Sequence, residues 1–336
     1  MQIILLAEKI MRDIFLLGVG APLVDILVNV DDDFVRLNVG NKGGMDHWSI
    51  EQQQKSLELV NADIAVANGG AAGNTVNCLA NLGAPCAMLG MTGNDELGAK
   101  YAAELAQSGG STEYLFKHSF EPTGRCISFI TPDSERTMRS NLGASALLTV
   151  EDIGKVDFSR AEIVYFEGYR LFEMTTFDYA LTKARKAGCK IAIDFASFNV
   201  VELFQEKLHE LYDNGMFDMI FANEDEAKAF FGNDEHEKNL ADAMQKCKIA
   251  VIKLGKAGSL IGCDGKIYKI PVTPVKAVDT TGAGDSWAGG FFYGLYRKFD
   301  MPKCGEIASN VSAEIVQVEG AKLPSETWNK LKMQYK

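Results

Sequence analysis

The run Gly282-Ala283-Gly284-Asp285 holds the residues best placed for chemistry. Two glycines within three positions leave no Cβ where a strand hands over to a helix, so neighbouring N–H groups can turn outward together. Outward amides at a helix N-terminus hold an anion, most often a phosphate. Asp285 beside such a site is a poor phosphate ligand and a good proton acceptor. With a phosphoryl group on the amides, it is placed to deprotonate an attacking hydroxyl. The plainer alternative is a tight turn with Asp285 capping the helix.

The flanking pattern supplies the elements that would hold this turn. Residues 266–272 read as a strand with partial alternation. After the turn, Trp287, Phe291, Leu295 and Phe299 fall four apart, with Ala288, Phe292 and Tyr296 in the neighbouring row, which predicts a helix buried on a broad face. A second glycine-rich stretch, Gly69-Gly70-Ala71-Ala72-Gly73-Asn74, follows a short strand at 64–67. It opens a helix that packs Val76, Leu79, Ala80 and Leu82 inward and ends at Gly83, a good C′ residue. Its glycines let backbone approach a ligand, and Asn74 offers both donor and acceptor. A plain turn before a core helix is the competing reading.

From Glu162 the chain alternates strand and helix, which predicts a parallel sheet covered on both faces. Ligands then bind at the carboxyl ends of the strands, where Asp194, Asn223 and Glu226 fall. Asn223 can equally be an N-cap followed by acids in a first helical turn. Residues 249–258 read as a buried strand ending in a glycine turn at Gly255 and Gly258. Ser49 with Gln52 reads as a capping box.

Composition bounds the partners. At 336 residues and 47% hydrophobic, the chain can bury a large core as one or two domains. A net charge of -11 speaks against nucleic acid or an anionic membrane and fits a cytoplasmic protein. Seven scattered cysteines with no CxxC suggest buried, reduced thiols. Four histidines without metal-binding spacing make a protein zinc site unlikely to form. The N-terminal apolar run is too short for a signal peptide or a span, so residues 1–11 are expected to be an extension outside the fold.

The segment Asp279-Thr280-Thr281-Gly282-Ala283-Gly284-Asp285 resembles the DTxGAGD signature of the PfkB carbohydrate kinases, the ribokinase family. The stretch from Gly69 to Gly83 resembles the family's GGAxxNxAxxLAxLG signature, with Val76 standing at the second alanine. Resemblance extends over nearly all of the chain after residue 11. It implies one ribokinase-like α/β domain over 12–336, a central mostly parallel sheet flanked by helices, and a small β-sheet lid. The lid is expected from segments 26–48 and 112–140, with strands at 112–117, 123–131 and 136–140.

By the same resemblance, Asp285 is the catalytic base, with Gly282, Ala283 and Gly284 as the anion hole. Asp25, Gly69, Gly70, Asn74 and Arg136 face the substrate. Asn223, Lys253, Gly255, Gly258 and Asn310 face ATP. Asn223 and Glu226 resemble the family's NxxE motif, which holds magnesium through water, and Asp279 and Thr281 lie near a monovalent cation (K+) site found in some members. Asp25 can otherwise be an exposed strand-edge residue, and Arg136 and Arg139 a solvated strand face; Arg139 is assigned to that face. Asp194 stands where members carry Asp-x-Asn, here Asp194-Phe195-Ala196, which leaves its role open. The activity implied is ATP-dependent phosphorylation of a hydroxyl, taken as a primary one, on a sugar, with a nucleoside such as adenosine as the alternative. A homodimer formed through the lid is compatible with it. A non-catalytic sugar or nucleotide sensor is the third reading; retention of Asp285, Gly282 and Gly284 together speaks against it.

Overall fold

Runs rich in Ile, Val, Ala and Phe, apolar on both faces, must sit between two layers of helix. The computed structural model describes residues 12–336 except Asp63, Ser134 and Ala321. The expected extension at 1–11 lies outside the described residues. The chain forms β1 (Ile14–Val19), β2 (Leu23–Asn29), β3 (Met45–His47), β4 (Ile64–Gly69), β5 (Cys86–Gly93), β6 (Leu115–His118) and β7 (Thr123–Ile130). It continues with β8 (Arg136–Gly143), β9 (Ala161–Glu167), β10 (Lys190–Asp194), β11 (Met219–Asn223), β12 (Ile249–Lys253), β13 (Ser259–Cys263) and β14 (Lys266–Ile270).

Nine strands form the large sheet, in the order β14-β13-β12-β11-β10-β9-β1-β5-β6. It is parallel from β12 to β6, and β13 and β14 close one edge as an antiparallel hairpin. One apolar cluster packs on each face. The sequence-adjacent strands β9 to β12 run outward from β1 on one side while β5 and β6 run outward on the other. The order therefore reverses beside β1, and a crevice opens there at the carboxyl ends of the strands.

A second sheet of five strands, β3-β8-β7-β2-β4, has its own apolar cluster around Ile26, Val28, Ile127 and Phe129. Its membership differs from expectation. Leu115–His118, read as a strand of the small sheet, pairs in parallel with β5 at the edge of the large one. A buried β5 needs a ladder partner on its open side, and this segment is the one that passes there. In its place the small sheet recruits Ile64–Gly69, antiparallel to β2.

Local signals fall where the sequence puts them. Ser49 and Gln52 form a reciprocal capping box at the start of Ile50–Glu58. Helix Ala71–Leu82 ends at Gly83 with φ 94°, a left-handed geometry that suits glycine. All seven cysteines are free, and six are buried. In helix Ala283–Tyr296 the residues Trp287, Ala288, Phe291 and Phe292 are buried, while Phe299 falls beyond its end. Among the described residues no helix is long and apolar enough to cross a membrane.

Candidate active site

Gly282 adopts φ 68°, so the chain turns through the left-handed region immediately before the helix Ala283–Tyr296. Ser286 N–H donates to the Gly282 carbonyl at 2.8 Å, the first bond of that helix. Ala283 N–H turns back to the Thr280 carbonyl at 3.2 Å. The N–H groups of Gly282, Gly284 and Asp285 have no partner among the described residues. The unpartnered amides of the turn are thus those of Gly282, Gly284 and Asp285, with Ala283 engaged in the turn. Gly284 itself has no positive φ; a Cβ there would meet Lys253 Nζ at 3.2 Å.

Asp285 lies in the first turn of the helix. Asn74 Nδ2 donates to its Oδ2 at 3.0 Å, and Thr75 Oγ1 donates to its backbone carbonyl at 3.1 Å. Burial, with Asp194 close by, raises its carboxyl to about 7, against the opposing pull of Asn74 and Lys253. A base poised near neutral pH is suited to taking a proton from a hydroxyl.

Lys253, at the end of β12, pairs with Asp194 at the end of β10 at 2.8 Å. Burial disfavours the Lys253 charge, yet Asp194 and Glu226 outweigh it and its ammonium is held above its ordinary range. Asp194 also accepts from Ala196 N–H at 3.0 Å, with Ala196 at φ 66°, so the departure from Asp-x-Asn keeps the carboxylate tied to the loop. Asn223 and Glu226 close on each other. Asn223 N–H and Nδ2 each donate to Glu226 at 2.8 Å, and Glu226 N–H donates to Asn223 Oδ1 at 2.9 Å. Burial and Asp194 lift Glu226 to about 7.

On the opposite side of Asp285, the second sheet contributes two charges. Asp25 projects from the middle of β2, paired on both sides in register with Ala67 and Cys126, so it is not an edge residue. A Cβ on Gly69 would lie 2.4 Å from its carboxyl carbon; Gly69 is what gives Asp25 room. Gly70, at φ 84°, passes so close to the Ala21 carbonyl that only glycine fits there. Burial raises Asp25 to about 7, while Arg136 pulls it down. Arg136, the first residue of β8, forms an ion pair with Asp279. Arg139 is buried rather than solvated: it bonds the Val39 and Asn41 carbonyls at 3.2 Å and stacks over Trp48.

One cavity adjoins the turn before Asp285 at Thr280 and Ala283, and a second lies beside Gly70 and Glu167. The first, of about 560 Å³, is lined by Gly255, Gly258, Val272, Val275, Thr280, Ala283, Trp287, Ser312 and Val316. Gly258 has φ 96° and sits against the Ile270 carbonyl, so the loop is held flat against this cavity. Asn310 does not line it. Its side chain is taken by Thr273 and Tyr335, and Ser309, Ser312 and Ala313 face the cavity instead. A helix presents only some of its positions to one side, and the residue assigned from sequence is off that face.

The other cavity, about 330 Å³, lies between the second sheet and the crevice beside β1. Its lining is apolar at Leu23, Met45, Leu142, Tyr169, Phe172, Val200 and Leu203 and polar at His47, Ser140, Glu167, Arg170, Glu173, Ser197 and Asn199, with Gly70 beside them. Sequence reasoning missed Glu167. Its Oε1 accepts from Ala21 N–H at 2.7 Å and its Oε2 from Ala72 N–H at 2.8 Å, tying the β1 loop to the helix that carries Asn74. Burial lifts it to about 7, against those two bonds. The available signal was an acid closing the buried run of β9, at the end of the sheet where ligands bind.

Residues 41–328 match the family model described as pfkB family carbohydrate kinase. The chain belongs to the pfkB family. Adenosine kinase 2 of Arabidopsis thaliana is 24% identical, over 93% of this chain and 96% of that protein. Ribokinase of Mus musculus is 28% identical, over 75% of this chain and 79% of that protein. Among solved structures, a probable sugar kinase from Rhizobium etli superposes with a TM-score of 0.86 at 28% identity, covering 97% of this chain and 100% of that one.

As a pfkB kinase the chain is a phosphotransferase with a hydroxyl acceptor, and the family in general uses ATP and Mg2+. Among the described residues no group of three or more His, Cys, Asp or Glu could hold a metal alone. The residues present fit a hydrated magnesium ion: Asp194, Glu226 and Asp285 all act on Lys253, which leaves net negative charge beside the Gly282–Asp285 turn, and magnesium held through waters needs only one or two carboxylates.

Proposed function

We propose that this pfkB kinase phosphorylates a nucleoside, and that Asp285 is the base that activates its hydroxyl. The observation carrying the substrate is the 330 Å³ cavity, in which Leu23, Leu142, Tyr169, Phe172, Val200 and Leu203 make a broad apolar wall beside the polar His47, Ser140, Arg170, Glu173, Ser197 and Asn199. Its volume falls within the roughly 300–1,000 Å³ of small-molecule sites. A bare sugar has hydroxyls on every face and gains little from the apolar wall, whereas a nucleobase stacks its flat apolar faces on aromatic rings such as Tyr169 and Phe172 and turns its polar edge to the polar side chains. The ribose would lie between this cavity and Asp285, with Asp25, Asn74 and Gly70 within its reach. Adenosine kinases stand among the chain's relatives beside ribokinases and sugar kinases, so the cavity and not the similarity carries the choice.

In this mechanism the 560 Å³ cavity takes the adenine of ATP, and the phosphates lie along Gly255, Gly258 and the free amides around Gly284. Asp285 removes the proton from the acceptor hydroxyl as its oxygen bonds to the γ-phosphorus and the bond to the ADP oxygen breaks. The helix N-terminus and its amides hold the charge on the transferred group. Lys253, kept charged by Asp194, stands beside Gly284 on the same side. Magnesium, when bound, neutralises phosphate charge, and Glu226 with Asn223 is placed to hold it through water. Nearly all of this is positioning and electrostatics.

The deciding experiment measures ATP consumption with adenosine, other nucleosides, ribose and fructose under one set of conditions. Nucleoside kcat/KM should exceed that of any bare sugar by roughly 10²-fold or more, the discrimination of a well-filled pocket. Equal or better turnover of ribose would overturn the assignment and return the acceptor to the sugar class.

A further inference from the structure

Asp279 lies three residues before Gly282, buried, at the start of the loop that presents the anion-binding amides. A carboxylate in that position must be compensated. Three donors do so. Thr281 N–H reaches Oδ1 at 2.8 Å, Gly320 N–H reaches Oδ2 at 2.6 Å, and the Arg136 guanidinium pairs with Oδ2. The pair is sequestered, with side-chain exposures of 15% for Arg136 and 3% for Asp279. Val278 and Asp279 N–H groups also donate to the Val316 carbonyl, so the loop before the turn is tied to the chain that follows helix Met301–Ile315.

Asp279 and Thr281 are the positions where the resemblance implies a monovalent cation, and the residues present do not fit one. A cation there would have to share the Asp279 carboxylate with a guanidinium. Arginine stays charged at any pH a protein tolerates. Two like charges a few ångströms apart in a buried place repel strongly. Thr281 turns its N–H, a donor, toward Asp279, where a cation needs oxygen.

We infer that Arg136 takes the place of the monovalent cation at Asp279, as a positioning residue that holds the phosphate-binding loop, so this kinase turns over without potassium. The inference rests on the reading above that residues 282–285 form the anion hole and base. The charge comes from β8 of the second sheet, and so that sheet must be seated for the loop to be neutralised. Asp25, which also feels Arg136, ties the acceptor side to the same guanidinium.

The test compares steady-state rates in tetramethylammonium, sodium and potassium chlorides at equal ionic strength, beside melting temperatures in the same salts. Wild type should show equal rates and equal melting temperatures in all three. Arg136→Met should lose at least roughly tenfold in rate, and potassium, but not tetramethylammonium, should restore part of the rate and raise its melting temperature. Potassium activation of wild type by tenfold or more would overturn the inference, and that arm needs no substitution to fold. A variant whose rate and melting temperature ignore potassium would also overturn it, because Arg136 would then act on substrate alone. Loss of the base mechanism is read separately, from Asp285→Asn.

Discussion

Asn74 and Asp285 are 211 residues apart in the chain, yet Asn74 Nδ2 donates to Asp285 Oδ2 at 3.0 Å. The amide joins the glycine-rich stretch that follows β4 to the turn before helix Ala283–Tyr296. Being neutral, it orients the carboxylate without lowering its proton affinity as far as a cation in direct contact would. Asp285→Asn keeps the size of the side chain and cannot accept a proton. Its kcat should fall on the order of 10²-fold or more, with little change in ATP affinity. In wild type the active form is the ionised one, so kcat/KM should rise with pH through about 7 and level off above it. Near-wild-type turnover by the variant, or a rate that falls across that range, would refute the role.

The two glycines of the turn serve different needs, so their variants should differ. Gly282 holds φ 68°, and a β-branched residue there costs roughly 1–2 kcal/mol of stability. Gly284 has ordinary backbone geometry, and its added Cβ meets only the flexible end of Lys253. Gly284→Val should therefore fold nearly as well as wild type while losing activity, because it presses Lys253 away and crowds the amides. Thermal melts beside initial rates separate the two cases. A folded, fully active Gly284→Val protein would mean that the glycines only shape a turn.

Glu226 both caps a helix through Asn223 and sits in the field of Asp194 and Lys253. Glu226→Gln keeps most of the cap and removes the charge. The magnesium concentration for half-maximal rate should rise, with the KM of the acceptor unchanged. If the magnesium titration superimposes on wild type, the pair is structural.

Asp25 has its space only because Gly69 lacks a Cβ. Asp25→Ala should cost roughly 2–4 kcal/mol in kcat/KM, about what a hydrogen-bonded charge facing hydroxyls contributes. Gly69→Ala, which displaces the same carboxylate, should reproduce most of that loss. An acceptor lacking the matching hydroxyls should be rejected by wild type and discriminated far less by Asp25→Ala. Additive losses across enzyme and substrate would show that Asp25 does not touch the acceptor.

Chain-local physics made much of this protein legible in its residues. Glycine without a Cβ marked the turns at Gly70, Gly83 and Gly282, a reciprocal cap announced Ser49 with Gln52, and Asn223 stood as an N-cap candidate before a run of acids. The alternation after Glu162 implied the parallel sheet, hence a site at the carboxyl ends of its strands. Those signals depend on φ preference, capping and periodicity, which act within a few residues. Tertiary structure alone decided the rest. It sent Leu115–His118 to the edge of the large sheet, buried Arg139 against Trp48, and turned Asn310 away from the cavity lined by Gly255 and Gly258. It brought Glu167 between two loops and laid Arg136 on Asp279. Each of these depends on which strands lie side by side and on which face of an element meets another. Sheet order joins segments up to hundreds of residues apart, and no local pattern carries that information.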